Sequence, residues 1–243
     1  MEIDVDFDFR TDASGKDPDM FSSTLRRYHC YLWSKQLPNG ALFVLSDTSP
    51  GTYLYHISEL GEFFLSSDSV IQTFTRWKRL KLITDLMTVS ENEEFLRISY
   101  TIGGMMIFPG NRVNGRQTIN GARGLSQKIC DRMDLTLECI RRHYVGLESP
   151  LSATISRYDD FFALFGDFHG YVNFFLLDDL VDENADVKYF MSFDDFNSPS
   201  VPFDVETYKQ YRRRSIEFVQ ARNLRMMKLD NSILSDNQRE GTT

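Results

Sequence analysis

The sequence predicts an α+β fold, with a small, mostly antiparallel sheet from the N-terminal half and a central hairpin, packed against a helical C-terminal half. Three observations lead there. Short strand patterns gather in the first half, helical patterns dominate the second, and the two never alternate regularly as βα units would. No linker of changed composition separates the halves, so we read one domain over residues 1–231, followed by a polar, fraying tail over 232–243. The third is composition: 42% apolar and 14% aromatic residues, with 20 Phe and 11 Tyr in a chain of 243 residues. That is enough to fill a substantial core.

Taken in order, "IDVDFDF" alternates strictly, with Ile3, Val5, Phe7 and Phe9 on one side and Asp4, Asp6 and Asp8 on the other, which predicts a half-buried strand. "SSTLRRYHCYLWSKQLPNG" opens on serine caps and closes on Pro38-Asn39-Gly40, predicting a helix from Ser23 to Gln36. Leu25, Tyr28 and Leu32 form its inward stripe, while Arg26, His29, Cys30 and Trp33 share a neighbouring face of the mixed kind that lines pockets. Strands are expected at "ALFVL", "TYLYHI" and "EFFLSS", with a turn at Pro50-Gly51. A long helix is expected from Ser69 to Met87, burying Val70, Phe74, Trp77, Leu80 and Met87 and exposing Arg76, Lys78, Arg79 and Lys81. A second follows through "NEEFLRISY".

"GGMMIFPG" reads as a buried strand, and Asn114-Gly115 as the type I′ turn of a hairpin, because both central residues of that turn need positive φ. "NGARG" then leads into a helix from Ile129 to Tyr144, with Asp134 and Glu138 toward its polar side. Another helix is framed by Ser149 and Gly166. "GYVNFFLLDDLV" is apolar nearly all round and is expected to be the most buried helix, so that Asn173 needs a partner in the core. A short strand near "VKYFM" and a last helix from Val205 to Lys228 complete the series.

A net charge of -8 makes the molecule repel polyanions at long range, so a nucleotide or nucleic-acid site has to be a local patch. Cys30, Cys130 and Cys139 form no CxxC pair and read as reduced thiols of a cytoplasmic protein. No apolar run is long enough to span a bilayer and the N-terminus is acidic where a signal peptide is basic, so no membrane partner is expected. No third ligand completes the His56/Glu59 spacing, and no metal site is assigned.

The patch that stands out is "FPGNRVNGRQTINGARG". No Asp or Glu occurs between Glu94 and Asp131, whereas Arg97, Arg112, Arg116, Arg123 and Lys128 do. Glycines let backbone N–H groups converge on an anion, and Arg and Asn supply oriented donors for phosphate oxygens. Asn111, Arg112, Asn114, Arg116, Asn120 and Arg123 are therefore the candidate ligand-binding residues, with Arg26 across from them and His29 as the candidate general acid or base. Neither GxxxxGK[ST] nor GxGxxG is present, which sets aside the two best-defined nucleotide loops.

With "KDPDMFSSTLRRYHCYLWSKQLPNG", "YLYHISELGEFFLSSDSVI", "TIGGMMIFPGNRVNGRQTINGARG" and "DRMDLTLECIRRHY" in view, the chain resembles a bacterial family whose domain has no known function, over most of its length. The resemblance implies an intracellular bacterial protein and supplies no activity, catalytic residue or cofactor. Two readings remain: a nucleotide or nucleic-acid binder, with hydrolysis assisted by His29, or a non-catalytic module that uses an aromatic surface to bind a protein partner or a second copy of itself.

Overall fold

The computed structural model describes residues 1–47 and 53–240, with side chains as far as Asp230; the expected Pro50-Gly51 turn lies outside the described residues. Two helices come first, α1 (Pro18–Phe21) and α2 (Ser23–Trp33). Each starts on a side chain that accepts a hydrogen bond from the first turn: Asp17 from the Asp19 N–H and Ser22 from the Leu25 N–H. Strands β1 (Lys35–Gln36) and β2 (Leu42–Phe43) form a small antiparallel hairpin. Strands β3 (Leu54–Ser58), β4 (Gly61–Ser69) and β5 (Met105–Pro109) form an antiparallel sheet with β4 in the centre.

Between β4 and β5 lie α3 (Lys81–Thr84) and α4 (Val89–Ser99), the latter opened by a capping box in which Thr88 and Glu91 satisfy each other's backbone N–H. The second half is helical: α5 (Ile119–Leu125), α6 (Met133–Tyr144), α7 (Ser152–Ile155), α8 (Asp159–Ala163), α9 (Phe168–Phe174) and α10 (Val205–Glu240). One apolar cluster runs from Ile3 to Met226. Trp33, Phe165, Tyr171, Phe174 and Phe175 pack ring against ring at its centre. Aromatic pairs of this kind contribute about 0.5 to about 1.5 kcal/mol each beyond the area they bury. Phe43 on Phe174 and Phe63 on Phe161 join the two sheets to the helical half.

The architecture is the expected α+β fold, and several local departures from expectation have identifiable causes. The alternating N-terminal segment is not a strand, although Ile3 and Phe9 are buried. Its aspartates bond to the local backbone instead, Asp4 accepting from the Asp6 N–H and Asp8 from the Arg10 N–H, and such bonds compete with a ladder. The segment is pinned at a distance: the Ile3 N–H donates to Asp230 at 3.1 Å and the Phe9 N–H to the Tyr100 carbonyl at 3.1 Å. The long helix expected over Ser69–Met87 is broken because β4 continues to Ser69 and Phe74 adopts φ 60°. Its apolar residues still reach the core, but largely from irregular backbone.

Asp134 and Glu138 are buried rather than solvated. Asp134 is held by Arg132 and by the Phe190 N–H, and Glu138 by Arg141 and Arg142. The Ser149–Gly166 helix divides into α7, a tight turn over Ser156–Tyr158, and α8. Asn173 is exposed and needs no partner in the core, and "VKYFM" forms only an isolated bridge, Val181 to Val187. Helix α10 runs from Val205 to Glu240, past the expected end at Lys228.

Candidate functional site

Ser66, Ser67, Asp68 and Ser69 end the central strand as four consecutive polar residues, and elements from three directions close on them. Helix α1 packs across β4 and brings Asp19 within 3.5 Å of the Ser67 hydroxyl. Helix α2 brings His29, whose Nε2 lies 3.0 Å from the same hydroxyl. Helix α5 brings Asn120, which donates to Ser66 Oγ at 3.1 Å, and Arg123, which donates to Asp68 at 2.8 Å. Three of the residues selected from the sequence thus converge on one strip of strand, together with Asp19, Ser67 and Asp68, which were not selected. The signal for Ser67 and Asp68 lay in "SSDS", a polar run at a position where a half-buried strand should keep alternating, whereas Asp19, on α1, carried none.

The chemistry of this strip differs from the expectation. His29 is buried and both ring nitrogens are committed: Nδ1 accepts the Trp33 indole N–H at 3.0 Å, so Nε2 carries the proton and donates to Ser67. Burial, reinforced by the nearby Arg222 and Arg26 charges, lowers its pKa to about 3. A histidine that donates to the serine cannot also take its proton, which removes the general-base role assigned to His29. The carboxyls behave in the opposite way. Burial, and then the mutual repulsion of the Asp19, Asp17, Asp68 and Asp131 charges, raises both Asp19 and Asp68 well above the usual carboxylate range, although Arg123 opposes this at Asp68. They are the groups at this site whose protonation changes nearest neutrality.

Arg123, expected to face a ligand, faces the protein. It is fully buried, with Nε on Thr136, Nη1 on Asp68 and the Ser69 carbonyl, Nη2 on the Asp131 carbonyl, and the Asp131 carboxylate 3.3 Å away. The physical reason is that "NGARG" lies inside α5, capped by Thr118, rather than in a loop before α6. Arg26 also works internally, donating to the Asp47 and Tyr53 carbonyls at 3.1 and 3.2 Å. Asn120 is half spent: its Nδ2 is bonded, while its buried Oδ1 meets no donor among the described residues.

The remaining four candidates stand on one turn. Asn114 at φ 52° and Gly115 at φ 71°, closed by an Arg116 N–H to Val113 carbonyl bond of 3.1 Å, form the expected positive-φ turn. Such a turn favours Asn and Gly for conformational reasons alone. Among the described residues no strand follows it, and the chain passes into α5 instead of pairing back as a hairpin. The turn is tied at both ends, by Tyr158 Oη donating to the Asn111 carbonyl at 2.8 Å and Arg157 donating to the Gln117 carbonyl at 2.6 Å. Asn111, Arg112, Asn114 and Arg116 are all exposed, and among the described residues the Arg112 and Arg116 side chains have no hydrogen bond or ion pair. Gly110 connects turn and strip, its backbone so close to Ser66 and the Tyr53 ring that an added Cβ would meet the ring at 2.6 Å.

Among the described residues no cluster of His, Cys, Asp or Glu could hold a metal ion. No curated protein and no solved structure matches the chain. The chain belongs to a family of unknown function (DUF6994), whose model matches residues 3–226 and so spans both the strip and the turn.

Proposed function

We propose that the chain binds a phosphate-bearing ligand, a nucleotide or nucleic acid, on the Arg112–Arg116 turn, and that proton transfer to it falls to Asp19 and Asp68, on the strip that Gly110 joins to the turn, rather than to His29. The observation that carries this reading is the pair of guanidinium groups, exposed and without internal partners among the described residues, on a turn that is fixed at both ends. Guanidinium donors recognise phosphate oxygens, and the backbone that carries these two is already tied down by the fold rather than ordered by the ligand. The neighbouring acid-free stretch from Phe95 to Cys130 favours anions locally in a chain of net charge -8. Asp19 and Asp68 support the catalytic half of the reading, since raised carboxyls suit acid–base work near neutral pH. One domain over residues 1–231 and a bacterial, cytoplasmic setting belong to the same proposal, supported by the single apolar cluster and the three free thiols.

The test is titration with nucleotides and short single-stranded oligonucleotides, followed by anisotropy and by melting temperature. The double variant Arg112→Ala/Arg116→Ala should lose binding with an unchanged melting temperature, and its salt dependence should flatten by about two phosphate contacts. Equal binding by wild type and variant, or none by wild type, would overturn the proposal.

A further inference from the structure

We propose that residues 76–89, the shoulder formed by α3 and the start of α4, dock on the surface of an anionic phospholipid bilayer. This face is independent of the phosphate-binding turn. Leu82, Leu86 and Val89 are 89%, 64% and 88% exposed, so three aliphatic side chains stand in water within a short length of chain. Arg76, Lys78, Arg79 and Lys81 are exposed beside them, and among the described residues none of the four forms an ion pair. Asp85 is the one acidic residue of the segment. Looseness does not explain the exposure: Leu80, Thr84 and Met87 are buried between the exposed positions, and the Thr88/Glu91 capping box fixes the next turn.

The exposures decide what the partner is. Side chains nearly nine-tenths accessible stand proud of a convex surface, which suits insertion into a soft apolar layer better than reception of a helix in a groove. Nucleic acid would reward the four cations but gain little from three aliphatics, since strand binding uses aromatic stacking, and Trp77 is partly buried with Arg79 lying 4.8 Å over its ring. An anionic bilayer rewards both at once, aliphatics at the acyl boundary and cations among the headgroups. With a net charge of -8 the molecule as a whole is repelled by such a surface, so approach falls to a cationic face, and this one joins its cations to exposed aliphatics. No helix among the described residues is long and apolar enough to cross a membrane, so the association is with the surface.

The experiment is sedimentation of the whole chain with vesicles of phosphatidylcholine alone or mixed with phosphatidylserine, at low and high salt. The expected result is binding to the mixed vesicles that high salt weakens. Leu82→Ser/Val89→Ser should lower the partition coefficient at least about tenfold, and Lys78→Gln or Lys81→Gln each about fivefold. Phe203→Ser, at a site 79% exposed elsewhere on the surface, should change nothing. Failure to bind mixed vesicles, or equal loss in the Phe203 variant, overturns the proposal. So does a concentration-dependent dimer that Leu82→Ser/Val89→Ser abolishes while vesicles go unbound, because the face would then belong to a second copy of the chain.

Discussion

Trp33 donates its indole N–H to Nδ1 of His29, one helical turn earlier, across 3.0 Å. That single bond selects the tautomer, and the tautomer fixes the direction of the chain of hydrogen bonds that continues through Ser67 toward Asp19. A histidine on a polar face of α2 invites an acid–base reading. In this fold it is a neutral spacer that joins the aromatic core to the polar end of β4.

His29 should therefore stay neutral far below the usual imidazole range. Its folded pKa, about 3, lies below its unfolded value near 6.5, so the unfolded chain binds the extra proton first. The stability contributed by neutral His29 is complete above pH 6.5 and declines as pH falls toward 3. Long-range nitrogen NMR should show protonated Nε2 and bare Nδ1 at pH 5; an imidazolium signal there would be incompatible with the bond from Trp33.

Asp19 carries the opposite sign. Its pKa is raised on folding, so the protonated form suits the native state, and the stability it allows is lost as pH rises through the raised value. Asp19→Asn should stabilise the protein at pH 8 and have little effect at pH 4. Melting temperatures across that range measure it. A variant destabilised equally at every pH would mean that the carboxylate is needed for packing and not held against its charge.

Arg123→Met should be among the most damaging substitutions in the chain. It leaves Asp68 and Asp131 facing each other without their shared cation. Breaking a buried pair in this way costs about 3 to about 5 kcal/mol. Urea unfolding of the variant, with Asp68→Asn added to it, separates the two contributions. Removing the orphaned carboxylate should recover part of the loss, and no recovery would show that the bonds to Thr136 and the Asp131 carbonyl dominate.

The sequence made the fold class legible because apolar spacing together with cap and turn residues places a helix at each of α2, α4, α6 and α10 and a strand at each of β3, β4 and β5, though not their ends. It made the turn legible because Asn114-Gly115 has few conformational uses. What escaped was decided by partners far along the chain. Arg123 looks like an available cation until Asp68, on a strand 55 residues earlier, is placed against it. Asp134 looks solvated until the Phe190 N–H arrives. The strand reading of Ile3–Phe9 failed for a local reason, since alternation records which side chains are buried and not whether a neighbouring strand exists to pair with. Arg222 was invisible as a core residue because no carboxylate accompanies it: its guanidinium is held by the Gly103, Met105 and Phe175 carbonyls.

The bond from the Ile3 N–H to Asp230 spans 227 positions. During synthesis, Phe9 can settle against Tyr28 and Tyr100 early, whereas Ile3 gains its anchor only once Asp230 has left the ribosome, and a nascent chain stalled before α10 would leave that end of the segment untied. Chaperone demand should accordingly peak late in translation, when the length of unsheltered apolar chain is greatest.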